Sequence, residues 1–176
     1  IEQPQASAKA IEWMQAKMRA EVAEINDLYS KYRLNEALMT AFKLFTDEFS
    51  GWYLEMVKPA YQAPIDRQTL QATLHIFEDL MKVIHPFMPF ITEEIYQHIA
   101  DRAEGESIMT SVLTLDAPTE ADAAILASME QAKQIISGVR AIRQSKNIAP
   151  REQLTLEVVE PDGAAHSAAH DEALCQ

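Results

Sequence analysis

Glycine is scarce in this chain of 176 residues, and there is one cysteine, Cys175. Gly51, Gly105, Gly138 and Gly163 are scattered, so no glycine-rich loop is available to cradle a nucleotide phosphate. A lone thiol excludes an internal disulfide and a multi-cysteine zinc site. It fits a reducing compartment and makes the cytoplasm the expected location. Apolar runs are only a few residues long, too short to cross a bilayer, so no membrane partner is expected. The first residues, Ile1 to Gln5, lack the basic start and apolar stretch of a secretory signal. A start at Ile1 rather than Met reads as a piece of something longer.

Positive charge is also short. Fifteen Lys and Arg against 27 Asp and Glu leave a net charge of −12, which argues against nucleic acid as a partner. The acid is unevenly spread, however. Residues 1–33 balance five basic against five acidic groups, and residues 139–152 carry four basic groups against one acidic. Two regions can therefore still meet phosphate.

Catalytic constellations are missing too. Of the five histidines, only His166 and His170 stand four apart, in an alanine-rich tail with no carboxylate arranged beside them, and no metal site is read there. Glu93 and Glu94 are neighbours, which on a helix diverge by about 100° and cannot act as a dyad.

What the chain has is helical periodicity. Ile11, Met14, Met18, Val22, Ile25, Tyr29 and Tyr32 recur at steps of three and four, which predicts a long first helix. Leu38, Phe42, Phe45, Phe49, Trp52 and Met56 repeat the rhythm up to Pro59. Asp66 is a candidate N-cap for a third helix with the stripe Leu70, Leu74, Phe77, Met81 and Ile84, which His85-Pro86 should stop. Ile91, Ile95 and Ile99 begin a fourth, closed by Gly105.

From Ser107 the character changes. Ser111–Leu115 reads as an extended edge segment, and Thr119 with Asp122 imitates a capping box at the start of a fifth helix running toward Lys146. Leu154 to Val159 alternates like a half-buried strand. The expected fold is mainly α: an antiparallel helical bundle over 1–105, a small α+β element over 106–160, and an atypical tail over 161–176.

Three stretches carry a resemblance. Asp47-Glu-Phe-Ser-Gly-Trp-Tyr-Leu-Glu-Met-Val-Lys-Pro59 resembles the Trp-x-Glu-Phe-Cys-Asp-Trp-Tyr-Leu-Glu-x-x-Lys-Pro signature of valyl-tRNA synthetases, within the class I aminoacyl-tRNA synthetases. His85-Pro-Phe-Met-Pro-Phe-Ile-Thr-Glu-Glu-Ile-Tyr96 is similar to the block that follows it. Val139-Arg-Ala-Ile-Arg-Gln-Ser-Lys-Asn-Ile-Ala-Pro150 is similar to their Ile-Arg-x-Ile-Arg-x-x-x-Asn-Ile-x-Pro element. Thr46 departs from the usual aromatic, and Ser50-Gly51 from the common Cys-Asp. The two ATP-handling signatures, His-Ile-Gly-His and Lys-Met-Ser-Lys-Ser, are absent.

The resemblance implies the anticodon-binding bundle of such a ligase, which binds tRNA and does not catalyse alone. It implies a parent enzyme that joins valine to its tRNA using ATP and Mg²⁺. The fragment itself needs no cofactor, and its partners are the valine tRNA and the catalytic and editing domains of the same polypeptide. The same module of an isoleucyl- or leucyl-tRNA synthetase, or a helical protein-docking domain without RNA contact, is the alternative.

Unpaired bases are read by stacking on aromatic or apolar groups while cations hold the backbone. Lys9, Trp13 and Lys17, at spacings of four, share a helix face, and the resemblance puts an aromatic near the anticodon. Trp13 either stacks on a base or covers the end of the core. The resemblance also marks Ile76 as an apolar contact to the loop, against which core packing is the more ordinary reading. Arg140, Arg143 and Lys146, with Arg151 beyond them, form the second candidate region, gripping tRNA phosphates, docking onto carboxylates, or standing in solvent.

Overall fold

The computed structural model describes residues 2–149, 152–155, 157–159 and 165–167, and these are mainly helical. The chain divides into two compact units, Ile1–Leu126 and Ala127–Gln176.

In the first unit, α1 (Gln5–Ser30) starts after Pro4, whose backbone is extended. It stops where Tyr32 turns left-handed at φ 57. Arg33 N donates to the Leu28 carbonyl at 2.9 Å and Tyr32 N to that of Tyr29 at 3.0 Å, the paired bonds of a Schellman stop. Tyr32 was expected on the buried stripe. It lies past the helix end instead and is 89% exposed.

The next rod is α2 (Leu34–Lys43), a π-helical stretch (Leu44–Tyr53) and α3 (Leu54–Val57) in one run. Its buried residues are Ala37, Ala41, Leu44, Phe49, Tyr53 and Val57. The expected stripe is therefore corrected. The step of five from Leu44 to Phe49 marks the π turn, which fits one more residue per turn than an α-helix and moves burial from Trp52 and Met56 to Tyr53 and Val57. On α2 the small Ala37 and Ala41 are buried, and Phe42 is left 54% exposed. Phe49 stacks on Phe45, Tyr53 and Phe77, with centroids 6.1, 5.5 and 5.7 Å away.

Asp66 caps α4 (Arg67–Ile84) as expected, accepting from Thr69 N at 2.8 Å. The buried positions of α4 are Thr69, Ile76, Leu80 and Val83, with Asp79 and Met81 beside them. Leu70 and Leu74, expected inside, lie on the outer flank. His85 caps the end. His85 Nδ1 and Thr92 Oγ1 share a hydrogen bond at 2.7 Å, and Thr92 Oγ1 also lies 2.8 Å from the Met88 carbonyl. That clip folds α5 (Pro89–Ile99) back against α4. Gly105, at φ 82, closes a loop turn rather than the helix, which already ends at Ile99.

Charge holds the 100–111 loop down. Arg102 lies 3.6 Å over the Tyr96 ring and 2.7 Å from Glu78, while Glu93 accepts from Ser107 Oγ at 2.7 Å and Ile108 N at 3.1 Å. Burial works against the Glu78 charge, but hydrogen bonds from Arg102 and Lys82 outweigh it and lower its pKa. Ile108–Thr110 is a 3₁₀ turn, and the expected edge segment Ser111–Leu115 forms no strand.

The capping box at the start of α6 (Glu120–Ser145) is real. Thr119 N donates to Asp122 Oδ2 at 2.9 Å and Asp122 N to Thr119 Oγ1 at 3.1 Å. Arg19 Nε donates to the buried Asp122 carboxylate at 2.9 Å, tying this turn to α1. The Arg19 bond is also the chief reason that Asp122 stays ionised far below the usual carboxylate range.

In the second unit, α6 ends in another Schellman stop. Ile148 N donates to the Arg143 carbonyl at 2.9 Å, and Asn147 takes the left-handed position at φ 53. Glu157–Val159 (β1) pairs antiparallel with Ala165–Ser167 (β2). Residues 161–164 and 168–176 of the expected tail lie outside the described residues.

Candidate nucleic-acid interface

The first unit was expected to show its RNA-reading face at Lys9, Trp13 and Lys17, and the structure keeps only one of the three available. Lys9 is exposed near the start of α1. Trp13 is 3% exposed. The buried set Ala10, Ile11, Trp13, Met14, Ala16 and Met18 spans an arc of roughly 220° at the helical 100° per residue, far wider than a single stripe. Such an arc belongs to a helix covered from two sides, and α1 packs against both the α2–α3 rod and α4. The indole is therefore core, and the stacking role expected of it is corrected.

Lys17 is drawn into acid. Its Nζ lies 2.7 Å from Glu21 and 3.9 Å from Glu48, at a cleft of about 270 Å³ that Glu24, Lys43 and Asp47 also line. Four carboxylates against two ammonium groups give this cleft the wrong sign for phosphate. Ile76 is 3% exposed, so its role is packing rather than contact with a loop.

In the second unit, Arg140 and Lys146 are exposed on α6 and at its cap. Arg143 is committed to its own chain: its Nη1 and Nη2 donate to the carbonyls of Ala149 and Glu152, each at 2.9 Å. The guanidinium thus holds the segment after the helix stop. Arg151 lies outside the described residues.

Reading the sequence missed the connection between α3 and α4. Ala63 N donates to the Ala60 carbonyl at 2.8 Å, and Gln62 takes φ 64, which makes a tight turn with Tyr61 at its outer corner, 93% exposed. Lys58 caps α3 and Arg67 opens α4, so cations stand on both sides of the turn. Pro59 and Pro64, which bracket the turn, are its signal in the sequence. Among the described residues, no group of three or more His, Cys, Asp or Glu could hold a metal ion, and no helix is long and apolar enough to cross a membrane.

Residues 12–159 match the family described as the anticodon-binding domain of tRNA ligase. The chain is 53% identical over 159 residues to the valine–tRNA ligase of Phocaeicola vulgatus, covering 90% of this chain and 18% of that protein. Against the valine–tRNA ligase of Bacteroides thetaiotaomicron it is 48% identical over 177 residues, covering 99% and 20%. A more distant relative, the valine–tRNA ligase of Xanthomonas euvesicatoria pv. vesicatoria, is 29% identical over 163 residues. The chain spans about a fifth of the length of these curated relatives.

Proposed function

Because the chain belongs to the family of anticodon-binding domains of tRNA ligases, we propose that it is the tRNA-reading part of a valine–tRNA ligase. On this reading the whole enzyme joins valine to its tRNA at the expense of ATP with Mg²⁺, works in the cytoplasm, and carries its catalytic and editing domains elsewhere in the polypeptide. Residues 1–105 serve as the anticodon-binding bundle and residues 106–160 as a small α+β element. The observation that carries the reading is the alignment with valine–tRNA ligases over nearly all of this chain and only a fifth of theirs. Lys9, Arg140 and Lys146 are exposed cations suited to the RNA backbone.

Binding of the chain to valine tRNA transcripts that differ only at the anticodon tests this. The expected result is weaker binding when the valine anticodon is replaced, including by those for isoleucine and leucine. Equal affinity for every transcript overturns anticodon reading.

A protein-docking bundle without RNA contact is favoured by the net charge of −12 and by the ion pair of Lys17 with Glu21. Salt decides between the two, since each phosphate contact adds to the slope of log affinity against log salt, about 0.7 per contact on single strands. Absence of tRNA binding even at low salt favours docking.

A further inference from the structure

With Trp13 sealed in the core, the bundle needs another aromatic if it is to stack on an unpaired base, and one end of it supplies a candidate. We propose that Tyr61 is a stacking platform for an unpaired nucleobase, with Lys58, Arg67 and Lys9 holding the adjoining phosphates. The proposal rests on the RNA-binding reading above.

Three observations carry it. Tyr61 is exposed over almost its whole surface, so packing does not account for an aromatic there. Its turn is stiff, closed by the Ala63–Ala60 hydrogen bond and bracketed by Pro59 and Pro64, so little conformational freedom is lost when a base settles on the ring. The helix starts at this end also favour an anion. The starts of α1 and α4 meet here, Gln3 Nε2 donating to Thr69 Oγ1 at 3.2 Å, and neither helix has an acidic residue in its first turn. Asp66 is consumed as the cap of α4, and Glu55 faces Lys58 across an exposed 3.6 Å pair that a phosphate can displace.

The opposite end also shows aromatics, Tyr32 and Phe90. Its cations, however, sit in closer ion pairs than Lys58 does, Lys31 at 2.6 Å from Asp27 and Arg33 with Glu36. Charge therefore selects the Tyr61 end.

Fluorescence anisotropy tests this with a labelled RNA hairpin that has an unpaired loop and with a fully paired RNA duplex of the same length. The parent chain should prefer the hairpin. Tyr61→Ala should weaken hairpin binding by about five- to a hundredfold, the range for one lost base stack, and leave the duplex unchanged. Tyr61→Phe should bind within about twofold of the parent because it keeps the ring, and Tyr32→Ala should behave as the parent. Circular dichroism confirms that each variant is folded. If the parent binds the hairpin and Tyr61→Ala binds it equally well, or loses hairpin and duplex alike, the platform is overturned and the family's RNA binding stands. If the parent binds neither RNA at low salt, the platform and the RNA-binding reading fall together.

Discussion

Single residues show most sharply which features local sequence determines. Asp66 as an N-cap and the Thr119–Asp122 box could be read directly, because a cap depends on a side chain and a backbone N–H three residues apart. Asn147 likewise stops α6 where a left-handed residue is needed, which explains by geometry the Asn that opens the Asn-Ile-Ala-Pro stretch. Trp13 could not be read this way. Whether it is core or surface depends on how many neighbours cover α1, and one residue off a stripe is buried only when two elements flank the helix. Trp13→Ala should therefore act on stability, lowering it by about 3–5 kcal/mol, as removal of a buried large aromatic does. A thermal melt measures this. A variant with an unchanged melt and lost tRNA binding returns the indole to the surface.

At the scale of elements, the start of α4 at Asp66 and its stop at His85-Pro86 were legible, and the buried faces of two rods were not. The second rod is instructive. Its apolar residues fit an α-helical stripe through Phe42, Trp52 and Met56, and the π turn between Leu44 and Phe49 breaks that register, putting Tyr53 in the core with its hydroxyl 2.8 Å from Thr73 Oγ1. A stretch with i→i+5 bonding behaves as an α-helix with one residue too many. Removing the exposed Asp47 should take out that residue while keeping Leu44, Phe49, Tyr53 and Val57 on one face, since their spacing becomes three consecutive steps of four. Deletion of Asp47 is expected to leave a folded, fully helical rod. Deleting Met39 in regular α2 should swing every later residue by about 100° and unfold the bundle. Far-UV circular dichroism and melting of the two variants compare them directly. Equal damage from both deletions refutes the register account.

At the scale of the molecule, the charge balance that obscured the function also sets the response to acid. Asp66, Glu78, Glu93, Glu106 and Asp122 are all shifted toward lower pKa, and all lie in the first unit. The causes differ. For Glu93 it is chiefly the Ser107 hydroxyl, for Glu106 the backbone N–H of Ala103, for Asp122 the Arg19 guanidinium, and for Asp66 and Glu78 hydrogen bonds that overcome burial.

A carboxylate whose folded pKa lies below its unfolded value stabilises the fold above the unfolded value, near 4, and loses that contribution as pH falls through the folded one. Five groups shifted in the same sense add their slopes, so unfolding should set in as pH drops below about 4. Both tryptophans, Trp13 and Trp52, lie in the first unit, so their emission reports on the unit that holds these carboxylates. The emission should shift to the red over that range. Asp122→Asn should start less stable at neutral pH, because Arg19 loses its charged partner, and the gap from the parent should narrow as the pH falls. A gap that stays constant from neutral pH down to about pH 2 would mean that Asp122 contributes through packing and not through its charge.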